Sequence, residues 1–218
     1  TSMTLAFKDT MLTLFNKRAD GNIESSDNWR NVTNLLFEKH INVKCVSDFR
    51  PIAIMSLIHK LYIRCLLSLL QPFVTLSGFI QHGCRKYHQA AEIVHVLRVV
   101  LEKSFEWGFG VVVVSLDIKK AFDTLVLDAV LDMFIHNSVP DRIAFALLQE
   151  LLDERKCCYN VFGIQSEYIN MSKGLRQGSP EASLLFSAVV NLVLSRLNDK
   201  WKAEGKGIFF GSFKGCDV

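Results

Sequence analysis

Asp117 closes the run Val111-Val112-Val113-Val114-Ser115-Leu116, and Asp123 follows six residues later with Phe122 beside it. A carboxylate where a buried strand meets solvent is costly unless it binds something. Asp117 therefore reads either as a metal ligand or as a turn or helix cap. Two further segments bear on that choice. One is Gly174-Leu175-Arg176-Gln177-Gly178-Ser179-Pro180, and the other is Asp48-Phe49-Arg50-Pro51-Ile52. Six cysteines form no CxxC pair and no Cys/His metal spacing.

The elements that must hold these groups follow from periodicity. Residues 3–18 predict a helix with Leu5, Leu12 and Phe15 on one stripe, and 20–27 a polar connector. Val32–Phe37 and Pro51–Met55 predict two strands around a charged loop. Residues 56–70 are apolar at helical spacing and end before Pro72; a further helix spans Gln89–Glu106, with Ile93, Val96, Leu97, Val100 and Leu101 inward. The β-branched run 111–116 predicts a strand buried on both faces. Helices are expected over Thr124–Asn137 and Asp141–Glu154, then a hairpin of Cys157–Phe162 and Ser166–Asn170 about Gly163. The last helix, 180–203, starts with Ser179 as N-cap and Pro180 in its first turn, and is apolar nearly all round.

With 218 residues, half of them hydrophobic and 22% charged, the chain is no disordered segment and no low-complexity material. Its net charge of +3 is unevenly spread: residues 39–86 carry seven bases against one acid, Asp48. Such a field attracts polyanions, and it also suits an ordinary solvated face. No signal peptide opens the chain and no apolar window reads as a membrane span, so a soluble protein in a reduced intracellular compartment is expected.

Taken in chain order, the motifs resemble the reverse transcriptase domain of non-LTR retrotransposons. Trp29 with Lys39 ten residues on, then Asp48-Phe49-Arg50-Pro51-Ile52, is similar to that family's finger motifs. Gln81-His82-Gly83-Cys84-Arg85 is similar to its Gln-x-Gly-Phe block, with Cys84 where Phe is usual. Leu116–Asp123 resembles the first palm motif and Arg176–Phe186 the second. The resemblance implies an α/β (α+β) right-hand polymerase fold, with an antiparallel palm sheet packed on helices. Residues 1–27 would be an N-terminal extension, 28–110 the fingers, and 111–218 an incomplete palm whose helices at 124–154 return toward the fingers.

The same resemblance implies the chemistry. A primer hydroxyl displaces pyrophosphate from a dNTP on an RNA template, assisted by two Mg²⁺ ions. Asp117 would be the catalytic carboxylate and, with the backbone carbonyl of Ile118, a metal ligand. Lys39 and Arg50 would hold the triphosphate, Arg50 through paired donors. Phe122 would lie beneath the sugar and exclude a 2′-hydroxyl, while Gln177 and Gly178 lie against the nucleotide. Arg85 and Lys86 would contact template or primer, and Arg176 would bind template phosphate or merely cap the hairpin; Asp123 and Pro180 orient the backbone. Two departures stand out. Ser179-Pro180-Glu181-Ala182-Ser183 replaces the usual sequence after Arg-Gln-Gly, and no aromatic-x-Asp-Asp motif occurs, although 207–218 resembles the stretch before it. The fragment alone is therefore expected to be inactive. A group II intron maturase shares the Arg-Pro and Arg-Gln-Gly motifs, and a non-catalytic RNA-binding remnant of a retroelement is the alternative from another class. A nuclear site of action follows from target-primed integration.

Overall fold

Apolar residues at helical spacing and β-branched runs at spacing two build most of the expected elements. The computed structural model describes residues 2–76, 81–153, 155–171 and 173–206. Its helices are α1 (Ser2–Ala19), α2 (Asp27–Arg30), α3 (Leu57–Leu70), α4 (Ala90–Trp107), α5 (Ala121–Thr124), α6 (Leu127–His136), α7 (Asp141–Leu152) and α8 (Pro180–Ala203). Its strands are β1 (Asn31–Glu38), β2 (Phe49–Ile54), β3 (Arg155–Val161), β4 (Ile164–Gln165) and β5 (Ile169–Met171). The stretch 207–218, read from sequence as the approach to a further palm motif, lies outside the described residues.

The result is a mixed α/β structure. β1 and β2 form an antiparallel hairpin, with Phe37 opposite Arg50, and β1 also pairs in parallel with β3, with Val32 opposite Cys157. β4 and β5 each join β3 in antiparallel fashion. One sheet therefore draws strands from both sides of position 110, where the sequence suggests a division between fingers and palm. The parallel β1/β3 pair makes this sheet mixed. The connection between the two strands is long enough to hold five helices, as a parallel crossover needs.

The main core lies where α3, α6, α7 and α8 meet. Tyr62, Ile63, Leu66 and Leu70 of α3 pack with Val130, Met133 and Phe134 of α6, Leu147 and Leu151 of α7, and Leu185, Ala188 and Leu192 of α8. By length and composition α8 would suffice to cross a bilayer, but its apolar stripe is spent on this core. Val32, Ala53 and Met55 form a smaller cluster against the sheet.

Three sequence expectations fail here. Among the described residues the run 111–116 joins no ladder, and Val112 and Leu116 are each 88% exposed. β-branched residues favour a strand only where a neighbour accepts and donates the ladder bonds, and no described strand lies alongside. Helix α4 forms as expected, yet it buries none of its residues, and Ile93, Val94 and Val96 face solvent. Its amphipathic period predicts a helix correctly but not a partner for the apolar face. Similarly, in α1 only Phe15 of the predicted stripe packs inward, on Tyr62 at 5.2 Å, while Leu5 and Leu12 are exposed.

Candidate functional site

The loop 174–178 joins the segment after Asp117 to the β1/β2 hairpin. At its start, Gly174 N donates to Leu125 O at 3.2 Å, and Leu175 N donates to Phe122 O at 2.8 Å. Gly174 adopts φ +81, and a Cβ there would lie 2.8 Å from Asp123 O. At its end, Gln177 O accepts from Ala53 N at 2.8 Å, and a Cβ on Gly178 (φ +96) would meet Ile52 Cγ2 at 3.1 Å. At Gly174 a Cβ would collide with backbone, and at Gly178 the left-handed φ and the close Ile52 methyl both favour glycine. Leu175 between them is wholly buried in the main core, so the loop is anchored from below.

Arg50 and Ile52 are two apart on β2 and share a face of the hairpin. The loop thus brings Gln177 and Gly178 alongside the face that carries Arg50, whose side chain is exposed. Lys39 sits at the hairpin's end, where its amide donates to Asp48 O at 2.9 Å. Its ammonium is turned onto Ser47 O at 2.5 Å, so it is tied to its own loop. Asp48 shapes that loop by accepting the Lys44 amide at 3.0 Å and the Cys45 amide at 3.2 Å. These bonds, that from Lys44 first, hold its carboxyl below the usual carboxylate range.

Arg176 is placed differently from the template contact expected of it. It is 5% exposed, and its guanidinium donates to the backbone carbonyls of Arg30 (3.0 Å) and Trp29 (3.4 Å). Burial, then the neighbouring charge of Arg155, pushes its pKa down to about 10, leaving it charged at neutral pH. It clamps α2 to the loop. Ser179 takes the N-cap position of α8, but its hydroxyl donates to Arg176 O at 2.8 Å and does not cap the helix amides. Pro180 opens α8 at its first position, where a missing amide costs nothing.

Beneath the clamp lies a buried polar network that sequence reasoning missed. Glu150 accepts from Arg18 Nε at 2.8 Å and lies 2.8 Å from His59 Nε2; Arg18 also reaches Asp153, which Ser25 joins. Trp29 stacks on His59 at 4.9 Å with an interplanar angle of 10°. Glu181, on the first turn of α8, is buried, and desolvation raises its pKa. The available signal was a charged residue on an apolar helical stripe: Glu150 beside Ala146, Leu147 and Leu151, and His59 on the stripe of Ile63.

Asp117 and Ile118 are exposed, in the irregular stretch that precedes α5. Phe122 lies half-buried in α5 with its ring 5.3 Å from Phe186, while Asp123 is exposed and presents its backbone to Gly174. Arg85 and Lys86 sit on the loop before α4; Lys86 Nζ stands 4.9 Å over the Tyr87 ring, and Arg85 reaches Gln81 O at 3.4 Å. A pair of divalent ions requires several hard oxygen ligands. Among the described residues Asp117 belongs to no cluster of three potential metal ligands, so these residues do not complete a two-ion site.

A glycine-bearing loop set against the edge of a hairpin on a mixed sheet defines an α/β protein. Residues 38–213 match the family described as reverse transcriptase (RNA-dependent DNA polymerase), and the chain belongs to that family. It is 26% identical over 169 residues to the Retrovirus-related Pol polyprotein from type-1 retrotransposable element R2 of Nasonia vitripennis, covering 76% of this chain and 16% of that protein. The corresponding protein of Popillia japonica is 26% identical over 169 residues, covering 78% of this chain and 24% of that protein. This chain thus spans a quarter or less of these relatives. Among solved structures, apo telomerase from Candida tropicalis, truncated from its C-terminal domain, aligns with TM-score 0.49 and 14% identity over 84% of this chain and 42% of that one.

Proposed function

We propose that this chain is the fingers and part of the palm of a retrotransposon RNA-directed DNA polymerase, which adds dNTPs to a primer 3′ hydroxyl on an RNA template. Family membership supports the reaction class, and reverse transcriptases use divalent metal ions. Mg²⁺ would neutralise the phosphates during transfer. The observation that carries the assignment of roles is the Ala53–Gln177 bond, which sets Gln177 and Gly178 beside the hairpin face of Arg50. Arg50 binds the triphosphate there with paired donors, and the bare backbone of Gly178 leaves room for a nucleotide. Phe122, backed by Phe186, screens the sugar. Asp117 and the Ile118 carbonyl offer hard oxygens but need further carboxylates, so the 218-residue chain alone is inactive. A nuclear site of action is part of the same reading.

The test is primer extension on an RNA template by the longer protein that carries this sequence. Arg50→Ala should raise the dNTP KM at least about tenfold, the loss of a charge-assisted phosphate contact, and Asp117→Asn should abolish synthesis while RNA binding persists. Unchanged incorporation in both variants would reject the roles. RNA binding with no extension by the parent protein would favour the non-catalytic remnant.

A further inference from the structure

His82, His88 and Glu92 converge where the loop before α4 meets its first turn. Their ligand atoms all lie within 4.8 Å of one another. His82 Nε2 is 3.6 Å from Glu92 Oε2, and His88 Nδ1 is 2.8 Å from the same oxygen. The two imidazoles stand edge to face at 5.4 Å. A tetrahedral ion at about 2.0–2.1 Å from each ligand needs its donors roughly 3.3 Å apart. These two spacings straddle that distance, and the His82 and His88 ring nitrogens lie no more than 4.8 Å apart, so the rings close on the ion as it binds.

The surroundings hold this set in place. The second oxygen of Glu92 accepts from Gln89 N at 3.3 Å, a helix-capping bond that fixes the carboxylate. The loop is bent through two non-glycine residues of positive φ, Cys84 (59°) and Tyr87 (66°), and braced by Gly83 N donating to Gln81 Oε1 at 2.9 Å. Such strain persists only where the surroundings over-determine it. Among the described residues His82 Nδ1 is buried without a hydrogen-bond partner. A His88–Glu92 pair alone accounts for the 2.8 Å contact, but it leaves His82 unexplained.

We propose that His82, His88 and Glu92 bind one Zn²⁺ ion, or a divalent metal of the same ligand preference, with a fourth position open to water. Two imidazoles and a carboxylate favour such a metal over Mg²⁺ or Ca²⁺, which take oxygen ligands. The site is independent of the polymerase assignment. Its consequence is local: the ion pins the loop bearing Arg85 and Lys86 to α4, an otherwise exposed helix.

The 218-residue chain is titrated with Zn²⁺ by calorimetry in excess Mg²⁺, and with Co²⁺ by visible absorption. One ion should bind per chain, with tetrahedral cobalt bands and no thiolate-to-cobalt band. Affinity should fall about tenfold or more in His82→Ala and in Glu92→Gln and stay unchanged in His95→Ala, which alters an exposed histidine of the same helix. Circular dichroism confirms that the variants keep their helices, and His82→Asn replaces His82→Ala if that variant unfolds. The absence of saturable binding, a thiolate band, or binding indifferent to the His82 substitutions would overturn the proposal.

Discussion

The amide of Ala53 donates to the carbonyl of Gln177 at 2.8 Å, tying an inner residue of the hairpin to a loop 124 positions further along the chain. The contact is backbone to backbone, so its strength depends on how closely the loop approaches, and glycines at both ends set that approach. Gly174, Gly178 and Gly163 all have positive φ, but their surroundings differ: backbone atoms of Asp123 and Phe122 within 2.9 Å, the Ile52 Cγ2 methyl at 3.1 Å with Ala53 O behind it at 3.3 Å, and open space, respectively. Substitution by Ala should therefore rank in cost. Gly163→Ala loses about 1 kcal/mol from the left-handed backbone alone. Gly178→Ala loses about 2 kcal/mol, part of it recovered in a double variant with Ile52→Ala. Gly174→Ala loses more than about 3 kcal/mol, because backbone cannot yield. Urea midpoints measure all four, and equal losses at the three glycines would show that crowding plays no part.

Glu150 is the anion shared by Arg18 and His59 under the Trp29 ring. Removing it as Glu150→Ala leaves a buried guanidinium with only Asp153 and the Ile23 carbonyl as partners. The expected loss is about 3–5 kcal/mol, that of breaking a buried pair from one side. Chemical denaturation gives the value directly. A loss below about 1 kcal/mol would mean that water reaches the network freely.

The elements legible in the sequence are those whose signal is local. α8 runs over Pro180–Ala203 as its proline start and apolar run indicate, and β1, β2 and α3 differ from expectation by only a few residues at their ends. What was not legible depends on distant partners. The parallel β1/β3 pairing joins residues more than a hundred positions apart, and nothing within either strand specifies it. The run 111–116 carries the composition of a buried strand, but composition does not supply the neighbouring ladder. For the candidate site, motif order names Gln177, Gly178 and Arg50, and the structure sets the backbone of Gln177 and Gly178 against Ala53 and Ile52, on the strand that carries Arg50. The inward turn of Arg176 was not legible, because the carbonyls that hold it belong to Trp29 and Arg30.

Asp48 gives the hairpin loop a pH dependence whose sign is fixed. Amide bonds from Lys44 and Cys45 favour its charged form and depress its folded-state pKa. The stability it contributes is therefore present above the unfolded aspartate value of about 3.9 and is lost as pH falls through the lower folded value. Hydrogen exchange should show the Lys44 and Cys45 amides protected at pH 6 and progressively opened below about pH 4, relative to intrinsic rates. In Asp48→Asn that protection should be weaker and independent of pH. A parent protein with flat protection across this window would contradict the assignment.

Phe122 packs on Phe186 at 5.3 Å at the edge of the main core, so a structural and a functional role for its ring must be separated experimentally. Phe122→Val removes part of a half-buried aromatic and should cost about 1–2 kcal/mol in the 218-residue chain. Phe186→Leu removes the other half of the contact and should cost a similar amount. If the ring of Phe122 screens the sugar, the longer polymerase carrying Phe122→Val should incorporate rNTPs, lowering the dNTP-to-rNTP ratio of kcat/KM by at least about tenfold. Phe186→Leu should leave that ratio within about twofold, because Phe122 still occupies its place. Equal loss of discrimination in both variants would assign the effect to core loosening, and unchanged discrimination in Phe122→Val would remove the ring from the sugar altogether.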